Sequence, residues 1–139
     1  MKHIHSTHGK KIGKGCDCGI IVIANLFDLT YNYTILRFKQ YCNYNYFNDI
    51  GVTNEDIIKI SNIICKIQKK EIKKKKSEKI KIEEFCNKYS NGVFLVFFES
   101  HVECVINGNL YSQLCEKDFK MHGYNDEYLF EIYQIIKNS

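Results

Sequence analysis

Proline is absent from this chain of 139 residues. Against that absence, Lys, Ile, Asn and Tyr are abundant. The pattern fits an AT-rich coding bias, so single lysines and asparagines carry little weight as functional signals. No apolar run is long enough to cross a membrane, and no apolar leader opens the chain. No disulfide framework is visible either: the seven cysteines, at 16, 18, 42, 65, 86, 104 and 115, are odd in number and unpaired in spacing. Together these absences point to a reducing, intracellular compartment. Paired CxxC motifs are missing as well. His3, His5 and His8 with Cys16 and Cys18 match no common zinc module, so no metal and no cofactor are expected.

What is present suggests one domain with a substantial core. The formal net charge of +4 is mild. Much of it comes from residues 69–79, which read as a solvated lysine-rich loop. That run lacks interleaved aromatics, which argues against nucleic acid as a partner. Residues 1–14 read as a loosely ordered segment.

The organising stretch begins at Gly15. From Cys18 to Phe27 the residues are apolar almost all round a helical wheel, the pattern of a buried helix. Asp17 can cap it. The thiol of Cys18 then stands at the head of a core helix, where the helix dipole favours a thiolate. Cys16 lies before the cap and gains less. A second helix, capped by Thr30, carries Tyr31, Ile35, Phe38 and Cys42 as one stripe. Residues 43–51 break the pattern. Thr53 with Asp56 opens a third helix, with Ile57, Ile60, Ile64 and Ile67 on one face. A short helix follows with Ile82, Phe85, Cys86 and Tyr89. The pattern then changes to strands: 93–98, 102–106 and 109–112, with Asn107-Gly108 as a hairpin turn. A loop with a helical turn spans 113–123, and 128–136 reads as a last strand. Helices first and strands second imply an α+β domain with an antiparallel sheet.

His101 stands at the lip of that hairpin, outside any apolar stripe. A histidine entering a strand opposite a helix-head cysteine is the arrangement of a Cys–His hydrolase. His122, in a segment without strand periodicity, is not expected to serve. With a two-residue turn, Ile106 pairs with Asn109, and Glu103 with Ser112. His101, Glu103, Val105, Leu110 and Ser112 then share one face.

Asp17-Cys18 before an apolar helix, then the stretch from Asn91-Gly92 through Ser100-His101-Val102 to Asn107-Gly108-Asn109-Leu110-Tyr111, resembles the papain-like cysteine peptidase domains of phages and large DNA viruses. It is also similar, in part, to NlpC/P60 peptidases and, more weakly, to ovarian-tumour deubiquitinases. The resemblance covers about residues 15–111. It implies a papain-like fold and a cysteine peptidase or isopeptidase acting on a peptide or protein substrate, in the host cytoplasm if the chain is viral. Cys18 would be the nucleophile and His101 the base. Where the family places an aspartate, this chain has Ser112, so Ser112, Asn109 or Asn107 is left as the orienting residue, and Ser112→Asp is expected to raise activity. No Gln or Asn precedes Cys18 at the usual oxyanion-hole position, where Ile12 and Gly13 stand; backbone amides would serve there. Two other readings are a diverged papain-like binding module and a basic nucleic-acid or membrane-surface binder.

Overall fold

The computed structural model describes residues 1–6, 18–42, 52–76 and 78–137. Its architecture is α+β. Strand β1 is Lys2–His5. Helices α1 (Cys18–Phe27), α2 (Tyr31–Tyr41) and α3 (Asn54–Gln68) follow, then β2 (Lys70–Lys74) and α4 (Ile82–Lys88). Strands β3 (Val93–Phe97), β4 (Val102–Ile106) and β5 (Asn109–Ser112) come next. The chain closes with α5 (Glu116–Met121), a single 3₁₀ turn (Tyr124–Asp126) and β6 (Glu131–Lys137).

The six strands form one sheet in the order β1-β5-β4-β3-β6-β2. Its faces divide the core. Leu95, Phe97, Val102 and Cys104 pack with α1, α2 and α3, while Phe94, Val96, Phe98 and Val105 pack with Ile82 and Phe85 of α4 and Phe119 of α5. Every residue of α1 after Cys18 is buried, as its all-round apolar sequence demands. Asp28, in the left-handed region at φ 53°, turns the chain sharply into α2. The Thr30 and Thr53 hydroxyls accept the Tyr33 and Asp56 amides and start α2 and α3. No single helix among the described residues is long and apolar enough to cross a membrane.

Four expectations are corrected. The sheet is mixed, because β1 pairs in parallel with β5, from Lys2 opposite Asn109 to His5 opposite Ser112. Residues 2–5 are therefore a strand rather than a loose segment. With Ile4 as its one aliphatic residue, β1 has almost no pattern of its own. The open edge of β5 and the His3 and His5 rings, on the Leu114 and Gln113 carbonyls, hold it. Residues 70–74 are likewise a strand rather than a loop. Lys69, at φ 56°, reverses the chain after α3 and delivers it to β6, where Ile72 faces Ile135. Ile67, assigned to the buried stripe of α3, is exposed. The expectations for His8, Cys16, Asp17, Ile12 and Gly13 and for the break at 43–51 lie outside the described residues.

Candidate active site

Cys18 is the first residue of α1, and the amides of that first turn have no partners within the helix. Gly19 lets α1 begin there. A Cβ at Gly19 would stand 2.5 Å from Val52 Cγ2 and 2.9 Å from Ile57 Cδ1, so any side chain would push the head of α1 away from α3. His101 immediately precedes β4. The Asn107-Gly108 turn sets the register expected from the sequence, with Ile106 opposite Asn109 and Cys104 opposite Tyr111.

At this end of the sheet the Cys18 side chain lies beside His101, close enough to raise its pKa. The imidazole's Nε2 lies 3.0 Å from Glu103 Oε2. This is an ion-pair distance, with the N–H directed off the oxygen. The side chains are 6% and 0% exposed. Burial works against an imidazolium here. The Cys18 side chain and the Glu103 carboxylate beside the ring outweigh it and raise the His101 pKa from 6.5 to about 9.

The residue on Nε2 is thus Glu103, and neither Ser112 nor Asn109. The face-sharing of His101, Glu103 and Ser112 holds, but the order differs from expectation. The Ser112 hydroxyl donates to Glu103 Oε2 and accepts the Leu114 amide at 3.0 Å. Ser112 therefore holds the carboxylate, and the carboxylate holds the ring. Asn109 lies three residues further along β5, about 10 Å away by strand rise, opposite Lys2. Asn107 accepts the Gly92 amide at 3.0 Å in the turn. Glu103 carried a signal in the sequence: an acid within an apolar strand, two positions after the histidine and on its face.

Tyr124 carried no such signal. Its ring stacks on His101, with centroids 4.4 Å apart and planes 11° apart. Phe98 and Phe119 back it, each at 5.3 Å. Burial, then the charges of Glu127, Cys18 and Glu103, push its hydroxyl pKa up, and Ser100 hydrogen-bonds it. His122 is exposed and stacks on the tyrosine, 5.5 Å between centroids.

The buried cysteines have a different character. Burial pushes Cys42, Cys65 and Cys86 each to about 11, and raises Cys104 well above its ordinary value. Those thiols stay protonated at neutral pH and are inert. Among the described residues no group of His, Cys, Asp and Glu side chains could hold a metal ion. Compared with known proteins, the chain matches no family model, no curated protein and no solved structure.

Proposed function

We propose that the protein is a cysteine hydrolase that cleaves a peptide, isopeptide or related amide bond with Cys18, His101 and Glu103. The observation that carries this reading is a helix-head thiol beside a buried imidazole whose Nε2 meets a buried carboxylate at 3.0 Å. Sγ, its proton held by His101, attacks the carbonyl carbon. First-turn amides at the head of α1 stabilise the oxyanion, since such N–H groups have no partner within the helix and point at whatever approaches its end. His101 then gives its proton to the leaving nitrogen, and the C–N bond breaks to leave a thioester. Water attacks the thioester, losing its proton to His101, and Sγ departs with the acid released. Glu103 keeps the ring oriented and balances its charge throughout. The papain-like resemblance agrees with this assignment of Cys18 and His101, and a thiol hydrolase needs no cofactor.

The test is alkylation by a limiting thiol-directed electrophile at neutral pH, read by peptide mass spectrometry, beside a panel of peptide, ubiquitin-like and cell-wall activity probes. Label is expected on Cys18 ahead of Cys42, Cys65, Cys86 and Cys104. It should slow by at least about tenfold in His101→Ala, with one probe class turned over by the wild type and by no Cys18→Ala protein. Turnover retained in Cys18→Ala, or labelling indifferent to His101, would overturn the reading.

A further inference from the structure

The strongest charge on the molecule is remote from the thiol in sequence. Residues 69–79 contain seven lysines against two glutamates, in a chain whose whole formal charge is +4. In the structure Lys70, Lys73 and Lys74 lie on β2, beside Glu71, with Lys69 before the strand and Lys75 and Lys76 directly after it. β2 is the last strand of the sheet, and pairs with β6 on one side and with no described residue on the other. An edge strand offers a row of backbone donors and acceptors to another chain.

The lysines flank that edge on both faces. Ile72 packs toward α1–α3, so Lys70 and Lys74 share its side and Lys73 and Lys75 the opposite one. The ring contacts agree: Lys70 Nζ lies 5.9 Å over Phe27, and Lys75 Nζ 4.8 Å over Tyr89. An open groove of about 380 Å³ beside the strand is lined by Lys73, Lys74, Lys75, Lys76, Tyr89 and Gln134. The carboxylate that also lines it, Glu78, is occupied by Lys88 at 2.8 Å and by the Tyr89 hydroxyl.

The edge also stands at the catalytic end of the sheet. The Lys75 amide donates to Ile132, Ile132 is opposite Val96, and Val96 is opposite Glu103. Lys75 and Glu103 therefore lie on one row, three strand spacings apart, about 14 Å. Some four or five extended residues cover that distance.

We infer that the β2 edge binds an extended acidic segment of a protein substrate as an added strand, with ammonium groups meeting its carboxylates on both faces. The substrate role rests on the proposed hydrolase reading; the binding surface does not. An extended polypeptide alternates its side chains between two faces, as β2 does, and supplies the complementary backbone ladder. Lysines on an edge repel basic chains and discourage uncharged ones; the same lysines admit an acidic one. Single-stranded nucleic acid fits less well. It has no backbone ladder to offer, and Tyr89 and Tyr128, the rings nearest these lysines, already carry ammonium groups over them.

The experiment uses full-length Cys18→Ala protein, so that binding is read without turnover. The probes are a fluorescein-labelled peptide of about ten residues alternating Glu with Val or Thr, the same peptide with alternate amides N-methylated, and an oligothymidylate of equal charge. Anisotropy at low and moderate salt is expected to rank the unmodified peptide first. Lys74 already lies 3.7 Å from Glu131, so combining Lys73→Gln, Lys75→Gln and Lys76→Gln should weaken it about tenfold, as the loss of three exposed ion pairs would. N-methylation should weaken it comparably. Unchanged affinity in the lysine variant, indifference to N-methylation, or tighter binding of the oligothymidylate would each overturn the inference. If Cys18 proves unreactive while the peptide binds as described, the hydrolase reading falls and the acidic-peptide surface stands.

Discussion

At one end of the β4–β5 hairpin Asn107 and Gly108 turn the chain; at the other His101, Glu103 and Ser112 face Cys18. Both ends are rich in polar side chains, used in different ways. The turn satisfies its groups near solvent. Asn107 (φ 50°) and Gly108 (φ 76°) adopt the left-handed geometry of a tight hairpin, and Asn107 exchanges two hydrogen bonds with Gly92. A Cβ on Gly108 would meet the Cys86 carbonyl at 3.0 Å, so packing against α4 adds to the backbone requirement. The site end buries its polar groups and joins them through near neighbours in sequence: Glu103 meets His101 two positions before it and Ser112 nine after it. A buried carboxylate and imidazole destabilise a fold unless each finds its partner. Polarity at the turn maintains the fold, whereas at the site it gathers a thiol, an imidazole and a carboxylate.

The largest expected contrast is in activity. Glu103→Gln should lower kcat/KM by about 10²–10⁴, the scale of losing the orienting carboxylate in a triad. Asn107→Ala should leave turnover within about twofold while costing about 1 kcal/mol of stability. Glu103→Gln should also move the pH profile. The imidazolium must deliver a proton to the leaving group, so the basic limb of kcat/KM is expected near the His101 value of about 9, as an apparent constant of the coupled pair. Without the carboxylate that limb should fall toward 6.5. Stability follows the same linkage. The folded pKa is raised above the ordinary 6.5, so the contribution of His101 is complete below that value and is lost as pH rises through about 9. Denaturant midpoints should decline across that window in the wild type and decline less in Glu103→Gln. A basic limb unmoved by the substitution would detach Glu103 from the site.

Next in size is Ser112→Asp. By resemblance to papain-like peptidases, an aspartate there is expected to supply a missing charge and raise activity. In the structure the hydroxyl already donates to Glu103, so an aspartate would set a second carboxylate against the first in a buried position. The variant should lose about 3 kcal/mol in chemical denaturation and gain no turnover. Ser112→Ala should be milder, about 1–2 kcal/mol. A Ser112→Asp protein that is as stable as wild type and faster would restore the expectation drawn from the resemblance.

The two ends of the hairpin also differ in how far they can be read from sequence. Asn107-Gly108 is a local signal, and from it register and face-sharing follow by counting; Glu103 was thereby placed beside His101. The order of contacts within the face was not legible. Residues two apart on a strand share a face, and so do residues paired across strands. A carboxylate can therefore reach Nε2 from β4 as well as from β5, and the choice rests on where the ring points. Cys18 was legible because α1 is apolar on every side, which requires burial and locates its head. Strands β1 and β2 were not, because four or five residues with a single isoleucine carry little pattern. The open edges of β5 and β6 decide their conformation.

The smallest expected effect concerns Tyr124, the site residue that no sequence signal marked. Its ring lies 4.4 Å from His101 and nearly parallel to it, and the exposed His122 stacks on it at 5.5 Å. An off-line contact between Nε2 and Glu103 leaves the imidazole free to rock unless something fixes its plane. A stacked ring supplies that constraint and excludes water from one face. Aromatic pairs contribute about 0.5–1.5 kcal/mol beyond their buried area, so Tyr124→Ala should lower kcat/KM by up to about tenfold. Tyr124→Phe keeps the ring and loses the Ser100 hydrogen bond. It should stay within about twofold of wild type. The decisive readout is the pair of variants together. If the phenylalanine protein is as impaired as the alanine one, the hydroxyl matters and the stack does not. If Tyr124→Ala is slow and retains the full wild-type pH profile, its cost lies in packing with Phe98 and Phe119 and not in the plane of His101.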